Sequence, residues 1–222
     1  MRTICLPLTP ARRQTAARLL LCAGLALTML PAVAGFDEAA AAFAAGDYAK
    51  ALRESRPLAE KGDPRSQYAM GVLYENGYGV AKDLKQAAAW YLKAAKQGNS
   101  DAQYNLGAMY EHGVGMEVNY AEAARWYRLA ADQGDIDALS NLGFLYQGGK
   151  GVRQDKVLGL ALYNVSVAYA GKGTTQAARN RQVLANQMPV DDVKKALVLT
   201  ETLLKPGNLK LALDAYLDKA AR

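Results

Sequence analysis

Apolar positions along the chain fall at helical spacing. Ser66, Met70, Leu73 and Tyr74 stand at i, i+4, i+7 and i+8, and Ala87, Trp90, Tyr91 and Ala94 at i, i+3, i+4 and i+7. Each set is one face of a helix, and helices are predicted over roughly 65–76 and 83–97. Between them lies "YENGYGVAKD", Tyr74 to Asp83, whose Gly77-x-Gly79 interrupts both patterns. Glycine is favoured just past a helix end, where φ turns positive, and Asp83 suits the N-cap of the helix that follows.

The two-helix pattern recurs at an offset of 36 residues. Gly71, Gly107 and Gly143 align, as do Tyr74, Tyr110 and Tyr146, and the pairs Gly77/Gly79, Gly113/Gly115 and Gly149/Gly151. Trp90-Tyr91 aligns with Trp126-Tyr127 and then with Leu162-Tyr163. A half unit, Gly46 to Asp63, precedes the first copy, and the third decays towards Ala170. A single helix pair cannot bury its apolar face, whereas stacked pairs can, and end copies that face solvent diverge. Beyond residue 171 the helical pattern continues without the repeat, punctuated by Pro189 and by Pro206-Gly207-Asn208, as a capping region would.

The pattern of small-x-x-x-Leu-Gly-x-x-Tyr, Gly-x-Gly-Val-x-x-Asp and Ala-x-x-Trp-Tyr-x-x-Ala-Ala-x-x-Gly resembles the Sel1-like repeat family, relatives of the tetratricopeptide repeats. The resemblance spans about residues 64–170 and implies an all-α fold: an αα-hairpin repeat solenoid, or superhelix, with a helical C-terminal cap. The organisation expected is a signal peptide over residues 1–34, a partial repeat or cap over 35–63, repeats at about 64–99, 100–135 and 136–170, and a helical cap over 171–222. The resemblance implies a scaffold that binds other proteins and implies no reaction.

The first 34 residues alter the chemical picture. Arg2, Arg12, Arg13 and Arg18 precede the apolar run Leu19–Leu30, and Ala32-x-Ala34 follows. That is the layout of a secretory signal peptide cleaved after Ala34, and the run is shorter than a spanning helix needs. Arg12-Arg13 lacks the hydrophobic residues of a twin-arginine signal, and Leu21 before Cys22 departs from lipoprotein signals. Cleavage takes the net charge from +6 to +2, with 23 basic against 21 acidic residues, and removes Cys5 and Cys22. So small a charge gives no support to nucleic-acid binding. The mature chain holds no disulfide, thiol nucleophile or cysteine metal site. A monomer without a membrane span, periplasmic or secreted, is expected.

Candidate chemistry thins out on inspection. The Gly-x-Gly loops follow a helix rather than a strand, and Lys82 becomes Val118 and Gln154 in the other copies, unlike a phosphate loop. His112, the only histidine, has no partners for a metal. Ser55, Ser66, Ser100, Ser140 and Ser166 begin no Ser-x-x-Lys and sit in no Gly-x-Ser-x-Gly. Cysteine-rich secreted members linked with β-lactams carry paired cysteines in each repeat, which this chain lacks. No catalytic residue, cofactor or metal is therefore expected. What remains is the face of each first helix at i, i+3, i+7 and i+10. If the first helices line a concave groove, as in the tetratricopeptide relatives, that groove presents Arg65, Tyr68, Val72 and Glu75, then Asp101, Tyr104, Ala108 and Glu111, then Asp137, Ser140, Phe144 and Gln147. Its mix of aromatic and charged groups suits a peptide or a partner helix. An ordinary solvated helix face, a secreted effector that meets a host protein, and an envelope hydrolase are the alternatives.

Overall fold

The computed structural model describes residues 31–171 and 175–220. Most of the expected signal peptide, with Cys5, Cys22 and all four leader arginines, lies outside the described residues. Among those described, the regular structure is entirely helical. The helices are α1 (Pro31–Ala44), α2 (Tyr48–Glu60), α3 (Pro64–Asn76), α4 (Leu84–Lys96), α5 (Ser100–His112), α6 (Tyr120–Ala131), α7 (Ile136–Gly148), α8 (Lys156–Ala170), α9 (Gln176–Asn186), α10 (Val190–Leu203) and α11 (Leu209–Ala220). They fall into two compact units, residues 1–90 and 91–222.

Short polar side chains start the helices. Asp63, Asn99 and Asp135 each accept the backbone N–H three residues on, at 2.7, 2.8 and 2.8 Å. Asn119 and Asp155 do the same for the second helices, at 3.1 and 2.8 Å, and Asp83 accepts from Lys85 and Gln86 at 2.9 and 3.0 Å. Each satisfies one of the N–H groups that a helix start leaves without an internal partner. The first helices end on left-handed glycines, Gly77, Gly113 and Gly149. The second glycine of the loop has a different task. A Cβ at Gly151 would overlap the backbone of Tyr120 and Ala121, at the start of α6, so the loop of one repeat rests on the preceding repeat's second helix. Gly79 rests in the same way on Tyr48 and Ala49 of α2.

In residues 1–90, α1 packs against α2 and α2 against α3. The half unit read from the sequence therefore has a first helix, α1, which the 36-residue comparison does not reveal. Its core joins Ala42, Ala51, Ala59, Met70, Leu73 and Trp90, edged by Phe43, Tyr48 and Tyr78. Tyr48 and Tyr78 stack with ring centroids 4.2 Å apart.

In residues 91–222, α5 through α8 pack each against the next, over a core rich in alanine and leucine. Tyr127 and Tyr163 are wholly buried. Gly107 and Gly143 make room for them, since a Cβ at either would press on the tyrosine ring of its own repeat. The C-terminal cap divides into two parts. Helix α9 packs on α8 through Leu160, Tyr163, Ala177 and Leu184. Helix α10 also packs on α8, and α11 then doubles back, with side-chain bonds that reach residues 61 to 86 positions earlier.

Candidate protein-binding surface

The first-helix stripe takes its form from two kinds of position. At its centre the side chains turn inwards: Val72, Ala108 and Ser140 are buried, at 6, 8 and 9% exposure. Val72, expected to line the groove, is instead buried in the middle of α3, although the exposed Arg65 and the half-buried Tyr68 flank it in helical angle. In residues 1–90, Arg65 is exposed, with its guanidinium 4.3 Å from the Phe36 ring centre, while Tyr68 and Glu75 are half-buried.

In residues 91–222, Asp101, Tyr104 and Asp137 are half-buried. The Tyr104 ring lies 5.7 Å from that of Tyr127, and Phe144 is 38% exposed with the Lys150 ammonium 4.6 Å from its centroid. Glu111 and Gln147 are committed within the fold. The Tyr127 hydroxyl donates to Glu111 Oε2 at 2.8 Å, and the Tyr163 hydroxyl donates to Gln147 Oε1 at 2.9 Å. Of the stripe in residues 91–222, Tyr104, Phe144, Asp101 and Asp137 keep exposed surface, while Glu111 and Gln147 support the core.

The two tyrosines make a ladder. The amide of Asn141 on the next first helix opposes the upward shift of Tyr127, and that of Asn180 on α9 does so for Tyr163. Burial, followed by the Glu111 charge, raises the Tyr127 hydroxyl far above its ordinary range; burial pushes Tyr163 up to about 12, against the partial relief of Asn180. Helix α9, although outside the repeat, thus places an amide where Asn141 stands for the preceding tyrosine. Two buried glutamines recur as well: Gln67 donates to the Ala59 carbonyl and Gln103 to that of Ala95, both at 3.1 Å. Their signal was the shared "QY" after each helix start, which hydrophobic periodicity alone passes over. His112 is exposed at the end of α5, and no group of three His, Cys, Asp or Glu suited to a metal occurs among the described residues. Among those residues, no helix is long and apolar enough to cross a membrane.

The Sel1 repeat family profile matches residues 64–99, 100–135 and 136–166. Residues 64–166 thus carry three Sel1 repeats. Among solved structures it is similar to a Sel1 repeat protein from Oxalobacter formigenes, at 31% identity with a TM-score of 0.62 over 74% of this chain. It is also similar to a protective antigen present in uropathogenic Escherichia coli strains, described as displaying an SLR fold, at 28% identity with a TM-score of 0.59 over 86% of this chain. The chain spans 65% of the first structure's length and 46% of the second's, less than two thirds of either. No curated protein matches it. The all-α repeat architecture is that of the Sel1 solenoids, a family whose repeats typically serve as protein-interaction scaffolds.

Proposed function

We propose that this Sel1-repeat chain is an exported, non-catalytic scaffold of a bacterial envelope that binds a peptide or partner helix on its first-helix faces. The observation that carries the proposal is the division of aromatic rings within residues 91–222. Trp126, Tyr127 and Tyr163 of the second helices are buried in packing, whereas Tyr104 and Phe144 of the first helices keep ring surface at the edge. Aromatic side chains flanked by charged groups, here Asp101, Asp137 and Lys150, are the usual anchors of a protein interface. Export rests on the arginine-bearing apolar leader and its Ala32-x-Ala34 site.

The test is capture from envelope extract on the immobilised mature chain. The double variant Tyr104→Ala/Phe144→Ala should lose the captured partner while its helical circular dichroism persists; undiminished capture overturns the surface assignment. Cell fractionation checks the address, with periplasmic or extracellular recovery expected. A secreted, host-directed role gains support from the likeness to a protective antigen, and recovery in culture supernatant would favour it. Turnover of a chromogenic β-lactam or of muropeptides by the purified chain would overturn the non-catalytic assignment.

A further inference from the structure

Helix α11 is bound to the repeats as a ligand is bound. Leu209, Ala212, Leu213 and Tyr216, at i, i+3, i+4 and i+7, face inwards, the first three buried and Tyr216 partly so, while Leu211 is 68% exposed on the outer side. Its polar ties are few and specific. Arg128 Nη2 donates to Asp214 at 2.6 Å and to the Lys210 carbonyl at 3.4 Å. The Tyr216 hydroxyl donates to Asp155 Oδ2 at 2.9 Å, and Arg153 donates to the Ala220 carbonyl at 3.0 Å.

Two of the groups that receive α11 keep a partner without it. Arg128 Nε is already paired with Asp132 at 2.7 Å, one turn along α6. Asp155 Oδ1 is already the cap of α8, accepting from Leu158. Departure of α11 therefore leaves neither charge buried alone, the circumstance that makes breaking an ion pair most costly. A shallow groove open to solvent lies beside α11, lined by Lys194, Val198, Leu199 and Tyr216. The connection to α10, Pro206-Gly207-Asn208, has Gly207 at a left-handed φ of 69° and offers a hinge.

We propose that the face carrying Arg128, Arg153 and Asp155, with Tyr146 and Val152 in its apolar floor, is a helix-binding site filled in cis by α11. Its second occupant is a partner amphipathic helix of the same chemistry: an apolar i, i+3, i+4, i+7 edge, with a carboxylate one residue past the i+4 position to meet Arg128. Tethering gives α11 a high effective concentration, so it excludes weaker helices and yields to those that bind more tightly. The site uses neither Tyr104 nor Phe144, and its failure would leave that assignment intact.

The probe is a fluorescein-labelled peptide of residues 205–222, titrated by anisotropy against full-length chains. In the variant Leu213→Asp/Asp214→Lys, α11 loses its buried leucine and its acid while the receiving face is unchanged. That variant should bind the peptide at least about tenfold more tightly than the unmodified chain, in which α11 occupies the site. Adding Arg128→Ala should weaken binding about tenfold, and Tyr104→Ala/Phe144→Ala should leave it unchanged. In the unmodified chain, hydrogen exchange should show the α11 amides at least about tenfold less protected than those of α8. Absence of peptide binding by the α11 variant, equal binding of a scrambled peptide, collapse of the repeat helices in that variant, or equal protection of α11 and α8 would each overturn the proposal.

Discussion

Helices α8 and α11 lie in the same compact unit and bury comparable leucines, yet they are held in different ways. Helix α8 is capped by Asp155, supplies Tyr163 to the ladder and packs on α7, α9 and α10. Its removal would take the Tyr163 hydroxyl from Gln147 and open the core. Helix α11 packs its backbone closely on α10 and reaches the repeats through the side chains of Arg128, Arg153 and Asp155. The comparison separates cooperative structure from attached structure: cooperativity follows from shared burial and shared hydrogen bonds, and the length or hydrophobicity of a helix does not set it.

Substitutions can break that comparison, beginning with the ladder. Tyr127→Ala empties a wholly buried site and removes the partner of Glu111, and should cost about 4 kcal/mol in a denaturant titration, with every helix of residues 91–222 unfolding at the lower midpoint. Gly151→Ala places a methyl group against the Tyr120 backbone at a positive φ and should cost about 3 kcal/mol by the same measurement. Asn180→Ala removes the amide that eases the burial of Tyr163 and should cost about 1 kcal/mol, appearing as a small fall in melting temperature. Asp214→Ala should change the global midpoint by about 0.5 kcal/mol or less while quickening exchange in α11, because Arg128 retains Asp132. An equal fall in the global midpoint for Asp214→Ala and Asn180→Ala would erase the distinction between the two helices.

The gentlest probe is pH. The folded state favours the neutral tyrosine, so the contribution of Tyr163 is complete below its ordinary value near 10 and is lost as pH rises towards about 12. Burial, followed by the Asp155 hydrogen bond and charge, shifts Tyr216 the same way, so α11 is weakened in alkali too. Melting temperature against pH, with tyrosinate absorbance recorded in parallel, should decline above pH 10 and stay flat between pH 7 and 9.

Much of the fold was legible because repetition converts a weak periodic signal into aligned columns. The paired glycines, Asp83 and its counterparts, and the buried Trp-Tyr pairs all take the positions that the 36-residue register requires. The binding surface was only partly legible. The stripe spacing puts Val72 on the surface, and it is buried; it puts Glu111 and Gln147 there too, and they accept from tyrosines sixteen residues away. A helical wheel ranks faces by angle and knows nothing of the neighbour that covers them, so long polar side chains at a boundary are misassigned.

The sequence alone determined the repeat helices with their stops and starts, because capping and short loops act within a few residues of the chain. Only the tertiary structure decided that the last three helices split their work. The Asn180 amide of α9 eases the burial of Tyr163, and Asp214 finds Arg128 from 86 positions away. Nothing in the local pattern of α11 distinguishes a cap from a ligand. The difference lies in whether the groups it meets are already satisfied without it, and that depends on contacts distant in the chain.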